Sequence, residues 1–114
     1  MKLYVFVLNR VELLERVLEA YVEAGVAGAT ILDSEGMGRY LAYEVPLFAD
    51  FKALMKGSGP ENKTILSVVR DGAVGERLRK LVEQAVGGFA ESGAGIMFSV
   101  PVDWASSLKR EGED

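Results

Sequence analysis

The chain has 114 residues, 49% of them hydrophobic and 26% charged, the proportions of a single globular domain (1–114) with an ordinary core. Thirteen lysines and arginines stand against 17 acidic residues, a net charge of -4, whereas a nucleic-acid partner needs a strongly basic face. With neither cysteine nor histidine, the chain has no disulfide framework, no zinc site of the Cys/His kind and no Cys or His nucleophile paired with a base.

Leu3 to Leu8 is a continuous apolar run rich in β-branched and aromatic residues, the pattern of a buried strand. Asn9 and Arg10 interrupt it too early for a signal peptide or a membrane span, so a cytoplasmic protein without membrane insertion is expected. Val11, Leu14, Val17, Leu18, Tyr21 and Val22 then recur at helical spacing, with Asn9 and Glu12 placed as a reciprocal cap and Gly25 as a left-handed terminator. Ala27 to Leu32 reads as a second strand and Thr64 to Val69 as a third. Asp71-Gly72 turns the chain into a second helix with Val74, Leu78, Leu81, Val82, Ala85 and Val86 on its apolar side. Ile96 to Val100 is a fourth strand, which Pro101 ends.

The order βαββαβ predicts an α+β fold of the ferredoxin-like kind, a four-stranded antiparallel sheet with both helices on one face. Tyr4, Phe6, Leu8, Ile31, Leu66 and Val68 are expected to divide between the covered and uncovered faces. An exposed apolar sheet face implies association, most simply as a cyclic homo-oligomer.

Tyr40 to Asn62 is too long for a hairpin turn. Part of it is expected to be helical, from Pro46 through Leu47, Phe48, Phe51, Leu54 and Met55 to a stop at Gly57. Ser58 to Asn62 reads as a polar hinge behind it. Such a short helix must dock, either on its own assembly or on a partner protein, for which Tyr43, Leu47, Phe48 and Phe51 are the candidate anchors. Two glycine-rich joints complete the pattern, Gly36-Met37-Gly38-Arg39 and Gly87 to Gly95, which suit ligand loops or tight turns alike.

Gly25-Val26-Ala27-Gly28-Ala29-Thr30, then Gly36-Met37-Gly38-Arg39, then Gly93-Ala94-Gly95-Ile96-Met97-Phe98 leading to Pro101-Val102 resemble the PII and PII-like signalling proteins. The register holds from the amino terminus to Arg39 and from about Lys63 to Leu108; Tyr40 to Asn62, where that family carries its T-loop, does not match. The resemblance implies a homotrimer of ferredoxin-like subunits with adenine nucleotides in the clefts between neighbours. It also implies an arm that engages a target protein, a transporter or an enzyme, and links the family to nitrogen regulation. Carried over residue by residue, it assigns ligand contacts to Thr30, Gly36, Gly38 and Arg39, to Leu66, Ser67 and Val68 beside the base, to Gly93 and Gly95 in a phosphate loop, and to Lys109. Where the family's phosphate loop reads Gly-Asp-Gly-Lys, this chain has Ala94 and Ile96, and of two arginine positions near the end one holds Ser107 and the other Lys109.

A triphosphate needs several cationic donors. With those charges lost, ATP would rest chiefly on Arg39, Lys109 and Arg110, so AMP, ADP, a cyclic nucleotide or another small anion is the better fit. The other reading of the same fold is a structural or interaction module without a ligand, in which Gly87 to Gly95 is only a connection. No nucleophile stands with a recognisable base, so an enzyme is not expected and no catalytic residue is assigned. Asp33 and Glu35 could touch a hydrated cation, though two carboxylates alone do not specify a metal site. Trp104 reads as an anchor in the core or at a subunit interface. The stretch 103–114 reads as a tail with an acidic, solvated end.

Overall fold

A computed structural model describes residues 1–55 and 61–106, without the side chains of 51–55. The chain runs β1 (Lys2–Leu8), a 3-10 turn (Val11–Leu13), α1 (Leu14–Ala24), β2 (Thr30–Glu35), α2 (Met37–Glu44), a 3-10 run (Pro46–Met55), β3 (Glu61–Val69), α3 (Gly72–Val86), a single turn α4 (Phe89–Ser92) and β4 (Gly95–Pro101). The four strands form one antiparallel sheet in the order β2-β3-β1-β4, and the fold is ferredoxin-like. Among the described residues no helix is long and apolar enough to cross a membrane.

The core lies between one sheet face and the packed pair α1 and α3. Tyr4, Phe6 and Leu8 of β1 meet Ile65 and Val69 of β3, Val17, Ala20, Tyr21 and Ala24 of α1, and Val74, Leu78, Val82 and Val86 of α3. The faces of β1 therefore divide by parity. Tyr4, Phe6 and Leu8, expected to be shared between faces, all point to the helices because alternate residues of a strand share a side. The uncovered face instead carries Leu3, Val5 and Val7, opposite Val68, Leu66 and Thr64 on one side and Val100, Phe98 and Ile96 on the other. Ile31, opposite Ile65, lies on the helix side but is exposed on the edge strand.

The helix ends follow their local chemistry. Gly25 closes α1 at φ 89°, and Arg77 of α3 donates to the Ala24 carbonyl oxygen from Nε at 3.1 Å and Nη2 at 2.8 Å. Asp71 caps α3 by accepting from the Ala73 amide at 2.8 Å. The expected Asn9–Glu12 cap is absent: a 3-10 turn intervenes before α1, and Asn9 faces Asn62 instead. Val22, placed by spacing on the apolar side, is exposed.

Three boundaries differ from the sequence reading. β2 starts at Thr30 rather than Ala27 and continues through Asp33, Ser34 and Glu35; β3 starts at Glu61 rather than Thr64. Cross-strand polar pairs hold this extension, Asp33 with Lys63 in an ion pair and Ser34 with Asn62 and Thr64, which a search for apolar runs misses. Residues 37–44, read as the end of a loop and the start of an arm, form α2, although Gly38 lies inside it. The stretch expected to be helical from Pro46 is a 3-10 run, Pro46–Met55, kinked at Phe48. Gly57 to Pro60 lie outside the described residues, as does the tail from Ser107 to Asp114 with Lys109 and Arg110.

Two hydroxyls in the core, Tyr21 Oη and Ser67 Oγ, have no hydrogen-bond partner among the described residues. A buried polar group without a partner is destabilising, so Tyr21→Phe is expected to stabilise the fold by about 1–2 kcal/mol, read as a higher urea midpoint at unchanged slope. Burial also pushes the Tyr21 pKa well above its ordinary value of 10.0. Above that pH the unfolded chain ionises here and the folded chain does not. This part of the stability is thus intact below the unfolded pKa and lost as pH rises, by at most about 1.4 kcal/mol per unit, and Tyr21→Phe removes that dependence.

Candidate functional site

The candidate ligand residues fall into two groups at opposite ends of the sheet. At one end the segment between α1 and β2 leaves the edge of β3 and opens a groove of about 520 Å³ lined by Leu3, Ala27, Gly28, Ala29, Thr30, Leu66, Ser67 and Val68. It contains four sequence-assigned residues, Thr30, Leu66, Ser67 and Val68, with Thr30 directly opposite Leu66 in the ladder. Leu3 and Ala27 to Ala29 were not assigned as contacts, although Ala27-Gly28-Ala29 lies within the matched motif. The Gly25 terminator and the Arg77 clamp on Ala24 fix where this segment leaves α1, and so shape the groove wall. The lining carries no charged side chain. Such a surface suits an uncharged planar group better than a phosphate.

The second group lies at the far end, where β1 finishes at Leu8 opposite Gly95 and β2 finishes at Glu35 opposite Glu61. Gly36 starts α2 with extended backbone, φ -80° and ψ 144°, and Gly38 and Arg39 are helical, so this joint is a helix start and not a left-handed turn. Arg39 is half-buried and interacts with other groups of the chain.

The joint from Gly87 to Gly95 is built into the core. Gly87 ends α3 at φ 78°, Gly88 takes φ 93° and Gly93 takes φ 62°. Between them Phe89 stacks edge-on against Phe6, ring centroids 5.8 Å apart, and Ala94 is fully buried. The amide of Ala94 donates to Ser92 Oγ at 3.1 Å, and its carbonyl oxygen accepts from the amides of Asn9 at 2.6 Å and Arg10 at 3.3 Å. A Cβ on Gly95 would lie 1.9 Å from the Val7 carbonyl oxygen. These contacts account for Gly95 and for the Ala94 amide without an anion.

The arm, α2 with the 3-10 run, packs chiefly on itself. Of the candidate anchors, Leu47 is 84% exposed, whereas Tyr43 and Phe48 are half-buried and the Phe51 side chain lies outside the described residues. Met37, 79% exposed, and Tyr40 add apolar surface that had not been assigned. Trp104 is 77% exposed and takes no part in this chain's core. The Asp33 carboxylate is engaged by Lys63, whose pKa is raised by that hydrogen bond, and among the described residues no cluster of three acidic side chains could hold a metal. No protein-family model matches the chain, and no curated protein matches it.

Proposed function

We propose that the chain is a PII-like regulator, a cytoplasmic, non-enzymatic homotrimer that takes an adenine nucleotide of few phosphates between subunits and controls a partner protein through its arm. The observation that carries this reading is the separation of the candidate residues. Thr30 and Gly36 stand at opposite ends of β2, about 20 Å apart at about 3.3 Å per residue, too far for one mononucleotide to touch both within a chain. The two groups can serve one ligand only where two copies meet. The apolar open face supplies a reason for copies to meet, since Leu3, Val5, Val7, Leu66, Val68, Ile96, Phe98 and Val100 form one surface that no helix among the described residues covers.

The groove would hold the base and Thr30 would bond its edge, with Gly36 to Arg39 of a neighbouring copy at the phosphate side. Ile96 at the family's lysine position, Ser107 at one of its arginine positions and the internal commitment of the Ala94 amide favour AMP, ADP or a cyclic nucleotide over ATP. Ligand binding acts on the arm to the extent that it favours one arm position over another.

Light scattering is expected to give the mass of a trimer, and a monomer would overturn the reading. A thermal-shift panel of AMP, ADP, ATP, cyclic nucleotides, 2-oxoglutarate and bicarbonate tests the ligand; at 100 times Kd a ligand adds about 2.7 kcal/mol to stability. A trimer that none of these stabilises is the ligand-independent interaction module, for which the packing of Gly95 and Ala94 already provides a structural reason.

A further inference from the structure

Asn62 is 2% exposed although it lies at the second position of β3, next to the arm. A buried amide is held by hydrogen bonds or it is destabilising, so its partners carry information. Its register partner is Ser34, whose hydroxyl also meets Thr64 Oγ1 at 2.8 Å. In one orientation the amide nitrogen of Asn62 donates to Asn9 Oδ1 at 3.3 Å and its oxygen accepts from Ser34 Oγ. Turned over, the amide donates to Ser34 Oγ and to the Ser34 carbonyl oxygen at 2.9 Å, and its oxygen accepts from the Gly36 amide at 3.2 Å. The second orientation satisfies donor and acceptor together, and an Asn9 amide turned in concert presents its nitrogen to the same oxygen.

The Gly36 amide stands at the start of α2, a helix end that has no side-chain cap of its own. A Cβ at position 36 would come 3.4 Å from the Asn62 amide nitrogen. Position 36 therefore stands in van der Waals contact with the Asn62 amide, at a φ that other residues also adopt. Through Asn9, whose amide bonds the Ala94 carbonyl oxygen, the same residues reach the second glycine joint. The described part of the arm packs chiefly on itself, so contacts at its foot, where Gly36 meets Asn62, bear on its angle to the sheet.

We propose that Asn62 is a latch: one buried amide pins the start of α2 to both strands of the arm's stem, and its release lets the described part of the arm swing. The inference stands apart from the ligand and from the PII reading, because it uses the stem alone.

The chain has no cysteine, so two introduced ones report a single distance. Spin labels at Glu44→Cys on α2 and Lys80→Cys on α3, both exposed positions, are measured by double electron–electron resonance in the full chain diluted with unlabelled copies. The parent is expected to give one narrow distance peak. In Asn62→Ala the latched population should fall about five-fold relative to the swung one, the effect of losing one hydrogen bond of ordinary worth. Gly36→Pro removes the donor while keeping a φ that proline accepts, and should broaden the distribution in the same way. The double variant should add little to the swing seen in either, since the contact to α2 that both remove is the bond from the Gly36 amide to Asn62. Unchanged peaks in both variants with native circular dichroism would overturn the latch, as would broadening in Asn62→Ala alone. Should Asn62→Ala fail to fold, Gly36→Pro decides.

Discussion

Alanine at position 95 is expected to destabilise the fold by about 3 kcal/mol, the upper end for overpacking a core. The added Cβ would stand 1.9 Å from the Val7 carbonyl oxygen and 3.2 Å from the Leu8 Cα. Both obstacles are backbone in a central strand that is paired on either side, so neither can turn away as a side chain would. Relief requires β4 to move off β1, which also disturbs the Ala94 carbonyl held by Asn9 and Arg10. Gly93→Ala is the control: its φ of 62° strains an alanine by about 1–2 kcal/mol, but nothing stands near the new methyl group. Urea denaturation of the two variants separates the effects. Equal midpoints for Gly95→Ala and the parent would show that β1 and β4 do not approach so closely. A ligand-loop account makes a different forecast, lost binding at unchanged stability.

The second large effect concerns assembly. Val5 lies at the centre of the uncovered face, between Leu66 on β3 and Phe98 on β4. In a lone chain it is half-exposed, so the carboxylate of Val5→Glu would be hydrated and the fold retained. In a trimer closed on this face the same carboxylate would be buried without a partner, which costs several kcal/mol per ion. Light scattering should then report a folded monomer where the parent is expected to give a trimer. A trimer that persists in Val5→Glu would place the subunit contact elsewhere.

Much of the fold is legible in the sequence because it rests on local periodicity and end signals. Leu78, Val82 and Val86 are buried at helical spacing, Gly25 takes the left-handed conformation at the end of α1, and Asp71 caps α3. The arm stem was illegible. Gly38 lowers helix propensity by about 1 kcal/mol and, with Gly36, reads as punctuation, yet α2 forms there and packs on the 3-10 run, with Ala42 buried. The polar ends of β2 and β3 carry no apolar pattern, and only their pairing identifies them as strand. The same holds for the candidate site. Thr30 and the stretch from Leu66 to Val68 are far apart in sequence and meet because β2 and β3 align, whereas Gly93 and Gly95 are brought to the other end.

The sequence by itself determined the order of the four strands and of α1 and α3, and the exclusion of cysteine and histidine chemistry, since period, caps and composition act within a few residues. The tertiary structure decided which face of each strand is covered, why Gly95 is a glycine, and that Asn62 is buried at the foot of the arm. Those properties depend on register and on the approach of segments distant in the chain, where a shift of one residue would turn every side chain to the opposite face.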